Sequence, residues 1–146
     1  MTGRIVQVSV SAGGVPKTAV DSAKITTLGL EGDGHRDQEH HGGPERAVCI
    51  FAAEAIEALR AEGHPIVPGG LGENLTIAGL DWSAVVPDAI LQIGDDVIVE
   101  ITRYKRHPGW SRVYARVLVP GSVRTGDLVR LLAGTQARQI VGSLQL

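Results

Sequence analysis

Alternation between apolar and polar positions runs through most of this chain. Short segments rich in Val, Ile and Thr recur from Ile5 to Leu132, cut by frequent glycine and proline. A period of two in such segments marks strands with one buried face. The pattern predicts strands at Ile5–Val10, Ala23–Leu28, Ala47–Phe51, Asn74–Ile77, Ile90–Ile93, Asp96–Arg103, Ala115–Val119 and Asp127–Leu132. One stretch has a helical period instead. Between Ala52 and Glu62, the residues Ala53, Ile56 and Leu59 share a face among good helix formers, and Gly63 with Pro65 supplies the stop.

Many short strands and one helix predict a mainly β fold: a closed or nearly closed β-barrel with one or a few short helices. Closure removes exposed strand edges. The helix is expected to cover one side of the sheet. Two turns, Gly94-Asp95 and Gly126-Asp127, carry the same step into an alternating strand. They read as strand entries, in which the glycine takes positive φ and the aspartate bonds nearby backbone N–H groups. The tail from Ala133 to Leu146 has weak periodicity and is assigned only a packing strand or disorder.

Composition narrows this picture. A length of 146 residues at 43% hydrophobic content suits one domain, residues 1–146, with a core that needs no disulfides. A net charge of -2 gives no bulk reason to expect nucleic acid or an anionic membrane as partner. The single cysteine, Cys49, excludes an internal disulfide and fits a reducing compartment. Met1–Arg4 leads straight into strand-like sequence without a signal-peptide pattern, and no run approaches the ~18 apolar residues of a membrane span. A soluble, cytoplasmic protein is the expectation.

Candidate chemistry concentrates in Gly32–Arg46, which holds three of the five histidines and several acids just before the apolar run Ala47–Phe51. Asp33, His35, Asp37, His40 and His41 are of types that bind zinc, iron or manganese. Their spacing is not that of a known metal motif, and adjacent His40 and His41 point to opposite faces of an extended chain. No directly protein-bound metal is assigned. An anion or cofactor pocket is the favoured reading. Gly42-Gly43-Pro44 lets backbone approach a ligand, with the N–H groups of Gly42 and Gly43 available to an anion and Arg46 placed to bind it in a bidentate manner.

A second polar knot, Gly72-Glu73-Asn74, offers acceptor and donor groups, beside a bland alternative in which Asn74 shapes a turn and Glu73 is solvated. Lys17, in a glycine-rich turn, can reach a phosphate as a point charge. Lys105-Arg106-His107-Pro108-Gly109-Trp110 reads as a basic rim for an anion or as a solvated loop. Cys49, mid-strand in apolar sequence, reads as an inert core residue.

Taken together these residues resemble the MOSC family, named for the C-terminal domain of molybdenum-cofactor sulfurase. The match rests on His41-Gly42-Gly43 followed by Arg46-Ala47-Val48, the approach Gly29-Leu30-Glu31-Gly32-Asp33, the motif Gly72-Glu73-Asn74-Leu75, and the Ile93-Gly94-Asp95 turn. It covers about Arg4 to Leu132. The resemblance implies a barrel that binds molybdenum cofactor (molybdopterin) or handles its sulfur, and in some members reduces N-hydroxylated compounds. It implies a pocket lined by Lys17, Asp33, His41, Gly42, Gly43, Arg46, Glu73 and Asn74. Partners would be a small-molecule cofactor or substrate and an electron donor or acceptor protein. The oligomeric state and the substrate stay open, and no separate domain for pyridoxal phosphate is visible.

The family cysteine that carries sulfur or binds molybdenum would follow the strand at Asp96–Arg103, but here Tyr104 runs directly into Lys105. The catalytic residue is therefore unassigned. Either the loop is absent, or it lies at that junction as a mobile segment. The second is the expectation, and a C–N distance well above ~1.33 Å there would reveal it. Two other classes compete with a cofactor enzyme: a non-catalytic cofactor or anion carrier, favoured by true loss of the loop, and a metal-dependent hydrolase using His35, Asp37 and His41.

Overall fold

This computed structural model describes residues 2–11, 17–34, 44–107, 110–134 and 139. Its strands are β1 (Thr2–Val10), β2 (Thr18–Val20), β3 (Ser22–Thr26), β4 (Gly29–Leu30), β5 (Val48–Ala52), β6 (Leu75–Ala78), β7 (Ile90–Ile93), β8 (Val97–His107), β9 (Trp110–Val119), β10 (Gly121–Arg124) and β11 (Leu128–Leu131). One helix, α1 (Ala53–Ala61), follows β5. Strands β11-β7-β8-β9-β5-β6-β1 are hydrogen-bonded in that order, and β1 also pairs with β11, so the seven close into a barrel. The predicted barrel and helix are both present.

Strand β2 extends the sheet beside β1 at Val8–Val10, while β10, β3 and β4 form a separate three-stranded sheet. All barrel pairings are antiparallel except β5 with β6, and α1 lies in the connection between those two. A parallel pair requires such a crossover, because a tight hairpin can only reverse the chain.

Pleating divides the residues of β5, β6 and β9 between two environments. Val48 and Ile50, Leu75 and Ile77, and Val113 and Ala115 belong to the main interior cluster, with Ile5, Val8, Leu91, Ile93, Val99 and Ile101. Phe51 points the other way and packs with Ala52, Ala55 and Ile56 beneath α1. This explains why every residue of β5 is buried: one face fills the barrel and the other is covered from outside. The helix has no side-chain cap at its start, where Ala52 is still extended. At its end, His64 N–H donates to Leu59 O (3.1 Å) and Gly63 N–H to Arg60 O (3.0 Å), a paired closure that satisfies the last turn.

The differences from the sequence reading have local causes. The strand expected over Ala23–Leu28 stops at Thr26, whose hydroxyl donates to Gly29 O (3.0 Å) and accepts from Leu28 N–H (3.2 Å), folding the chain into a turn before β4. Strands β2 and β4 are too short for a period of two to register, and β10 carries a single apolar side chain, Val123. Both glycines of the Gly-Asp turns take the expected positive φ, 62° at Gly94 and 94° at Gly126, and at the second turn Asp127 Oδ2 accepts from Arg124 N–H (3.0 Å).

The expected mobile segment between Tyr104 and Lys105 is corrected by β8, which runs unbroken through both residues. Tyr104 pairs with Val113 and Lys105 with Arg112, in step along the ladder. The backbone is continuous and the cysteine loop is absent at this junction. Lys105–His107 and Trp110, read as parts of a loop, are strand residues. Among the described residues no helix is long and apolar enough to cross a membrane.

Candidate functional site

The outward face of the barrel wall carries the polar residues that the sequence singled out. Arg112 and Tyr114 on β9 alternate with inward Val113 and Ala115. Across the ladder Arg112 pairs with Phe51 and Tyr114 with Cys49, and directly paired residues share a face. Asn74 and Thr76 continue this face beside β5, and Gln7 and Ser9 carry it onto β1. A polar stripe thus crosses β1, β6, β5 and β9 on the outside of a barrel whose inside is apolar.

Asn74 ties the stripe together. Its Oδ1 accepts from Cys49 N–H (3.0 Å), and its Nδ2 donates to Ser9 O (3.3 Å) and to Asp33 Oδ2 (2.9 Å). Its own backbone N–H donates to Cys49 O (2.8 Å). At 2% exposure these bonds replace water for both amide ends. Asp33 in turn accepts from Ser11 N–H (2.9 Å) and from Lys17 Nζ at both carboxylate oxygens (2.6 and 2.8 Å). The Lys17 and Asp33 side chains are 7% and 2% exposed. The loop bearing Gly69 and Gly70 lies against this pair. A Cβ on Gly69, whose φ is 84°, would sit 2.9 Å from both Lys17 O and Ser9 Oγ, so a side chain is excluded there.

Glu73 is fully buried. Its Oε2 accepts from Thr76 Oγ1 (2.9 Å), but its Oε1 has no hydrogen-bond partner among the described residues. A buried carboxylate oxygen without a donor costs free energy and commonly marks a place completed by something else. The solvated Glu73 of the bland reading is thus corrected: the parallel β5–β6 junction encloses it.

Cys49 fits its reading as a buried residue. It is buried, at 6% exposure, yet it lies outside the interior cluster, on the polar stripe. Its Sγ accepts from Arg112 Nε (3.4 Å). Burial pushes the thiol above its ordinary value of 9.0, opposed by the Arg112 guanidinium and by Lys17 and reinforced by the Glu73 charge. Arg112 is itself shifted upward: burial alone would lower it, and the neighbouring Cys49 and Tyr114, with Glu73, raise it. The guanidinium carbons of Arg46 and Arg112 stand 5.9 and 5.6 Å from the Tyr114 ring centroid, within cation–π range.

Arg46 reaches this place from the one-turn 3-10 helix Pro44–Arg46. That turn is anchored by Thr102 Oγ1, which donates to Glu45 O, and by Arg116, which joins Glu45 (3.0 Å) and Glu100 (2.7 Å). Of the residues predicted to line a pocket, Lys17, Asp33, Glu73 and Asn74 cluster on the stripe and Arg46 lies beside it through Tyr114. His41, Gly42 and Gly43, with His35, Asp37 and His40, fall outside the described residues. Among the described residues no group of three or more His, Cys, Asp and Glu side chains could hold a metal ion. Cys49, Arg112, Tyr114, Ser9 and Thr76 were not read as site residues, although strand parity places them: Cys49 is two residues before outward Phe51, and Arg112 and Tyr114 alternate with apolar Val113 and Ala115.

A cavity of 550 Å³ lies elsewhere, among Gly94, Asp95, Asp96, Arg124, Gly126 and Asp127. It contains none of the stripe residues and is formed by the two Gly-Asp turns, whose geometry is accounted for by chain reversal.

Residues 37–106 match the sequence profile of the MOSC domain. The chain belongs to the MOSC family. It is similar to YflK of Bacillus subtilis (strain 168), an uncharacterized protein, at 26% identity over 85% of this chain. It is similar to YiiM of Escherichia coli (strain K12) at 34% identity over 58%, and to a reductase of Gibberella moniliformis at 31% identity over 73%. This MOSC chain spans 65%, 40% and 23% of the lengths of those relatives. Its fold matches the crystal structure of YiiM from Geobacillus stearothermophilus with a TM-score of 0.70 at 22% identity, covering 90% of this chain and 75% of that one.

Proposed function

We propose that the stripe is a binding site for molybdenum cofactor, with Arg46 and Arg112 on the phosphate side and Glu73 on the pterin side, and with the Lys17–Asp33–Asn74 network bracing the wall behind them. The observation that carries this reading is Glu73 Oε1, a buried acceptor with no donor of its own. The N–H edge of a pterin is a donor of the kind that would complete it. The two guanidinium groups near Tyr114 supply a positive field that suits a phosphate. His41, Gly42 and Gly43 belong to the same proposed site as backbone and side-chain donors, on the strength of the family motif. When bound, the cofactor would supply redox chemistry at molybdenum. The chain's own residues would bind and orient it, and Glu73 would fix the direction of the heterocycle.

Reduction is the proposed reaction class, in keeping with the name reductase carried by the Gibberella relative; an N-hydroxylated substrate and electrons from a partner protein are what the family resemblance adds. Incubating the purified chain with free cofactor and measuring bound molybdenum and pterin tests the reading. About one of each per chain is expected, and uptake of neither would defeat it. A second reading is favoured by one observation: β8 passes through Tyr104 and Lys105 with no cysteine loop. On that reading the chain holds the cofactor, or its sulfur, without turning over a substrate. A cofactor-loaded chain that reduces no N-hydroxylated base under any donor would select it.

A further inference from the structure

We infer that Arg116 is a positioning residue for anion binding on the stripe: by clamping Glu45 from β9, it fixes the direction in which Arg46 leaves its one-turn helix. The inference rests on the reading of Arg46 as a ligand for the cofactor's phosphate, and it concerns what aims that side chain. Arg46 lies between unlike neighbours. On one side Ala47 is 1% exposed, and its carbonyl oxygen lies against Gly29, where a Cβ would come within 2.8 Å. On the other side the turn Pro44–Arg46 has no buried residue, so no apolar contact locks it. Polar bonds from two strands do so instead. Thr102 Oγ1 on β8 donates to Glu45 O, and Arg116 Nη1 on β9 donates to Glu45 Oε1 (3.0 Å).

This arrangement carries a local cost. Arg116 Nη2 donates to Glu100 Oε1 (2.7 Å), on the residue directly across the β8–β9 ladder, so one guanidinium joins β8, β9 and the turn. Its Nε, by contrast, is buried with no hydrogen-bond partner among the described residues. An enclosed donor left unpaired costs free energy, and an arginine that served solubility alone would turn that group to water. The guanidinium is therefore held where it meets both carboxylates. Charge and geometry then predict opposite signs for one variant. Glu45 is a negative charge next to Arg46, so by field alone its removal would strengthen the binding of an anion, while removal of the Arg116 charge would weaken it. A clamp that aims Arg46 fails when either partner is lost, and both removals weaken binding.

Two measurements test this on chains expected to keep their fold, since the Arg116 and Glu45 side chains are 43% and 64% exposed and exposed pairs add little stability. In the first, inorganic phosphate is titrated against the Tyr114 ring NMR signals of wild type, Arg116→Met, Glu45→Gln and Arg46→Met. Affinity is expected to weaken about three- to fivefold in both Arg116→Met and Glu45→Gln, the size of effect one exposed pair can transmit. No further loss is expected when either is combined with Arg46→Met. Equal or tighter binding by Glu45→Gln would overturn the proposal, as would an undiminished loss in the Arg46→Met background. The second measurement needs no ligand. The Arg46 Cδ–H signals, assigned by their loss in Arg46→Met, should move in the same direction in Arg116→Met and Glu45→Gln as the side chain shifts over the Tyr114 ring. Signals that stay at their wild-type positions in both variants would overturn it. A chain that shows these effects with phosphate yet takes up no molybdenum cofactor would refute the cofactor reading and support the positioning role.

Discussion

The two faces of the β9–β5–β6 wall are made from alternate residues of the same strands, and they are built differently. Inside, Val48, Ile50, Leu75, Ile77, Val113 and Ala115 meet only apolar neighbours, and their contribution scales with buried area. Outside, Cys49, Asn74, Arg112 and Tyr114 are joined by directed bonds, and an error of one group leaves a buried polar atom without a partner. The inner face can tolerate exchange among apolar residues of similar volume. The outer face is fixed in detail, and one of its groups, Glu73, is left incomplete.

The largest effect should come from breaking the outer network at its ion pair. Asp33→Asn leaves the Lys17 ammonium enclosed without its carboxylate and is expected to cost about 3–5 kcal/mol in a urea unfolding midpoint, as for other buried pairs cut on one side. A loss below about 1 kcal/mol, the range of exposed pairs, would show that this face is more solvated than described.

Next is Glu73→Gln, which keeps an acceptor for Thr76 but removes a buried charge with an orphan oxygen. Cofactor uptake should fall while the urea midpoint changes little, because the amide leaves one buried polar atom without a partner as the carboxylate does. A variant with lower stability and unchanged uptake would assign Glu73 to the scaffold alone.

The smallest effect concerns Cys49. Its pKa is raised on folding, mainly by burial, so the protonated thiol favours the native state. That contribution is complete below the ordinary value of 9.0 and is lost as pH rises from there through the folded value. Wild type should therefore lose more stability than Cys49→Ser above pH 9.0. Parallel decline of the two would remove Cys49 as the cause.

Much of the barrel was legible because inward Ile, Val and Leu repeat every second residue in β5, β7 and β11, although a bulge between Ile5 and Gln7 breaks that period in β1. α1 was legible for the same reason at a different period. The site was legible only in pieces. Gly72-Glu73-Asn74 and Asp33 stand out by type and motif, yet nothing local in the sequence says that Asn74 bonds Asp33 across 41 positions, or that Lys17 meets Asp33 rather than a ligand. Arg112 and Cys49 were hidden by apolar neighbours, since an alternating strand with both faces buried looks like core from either side. The junction at Tyr104 misled for a further reason. The polar residues Lys105–His107 look like a loop, and only their pairing with Ser111, Arg112 and Trp110 of β9 makes them a strand end.

The central claim is that this MOSC chain works from the outer stripe and not from the cavity beside the Gly-Asp turns. The direct measurement is cofactor affinity, by tryptophan and pterin fluorescence titration, for wild type, Arg112→Met and Arg124→Met. The account predicts at least a tenfold loss, about 1.4 kcal/mol, for Arg112→Met and none for Arg124→Met. The reverse order, with Arg124→Met losing affinity and Arg112→Met unchanged, would contradict it.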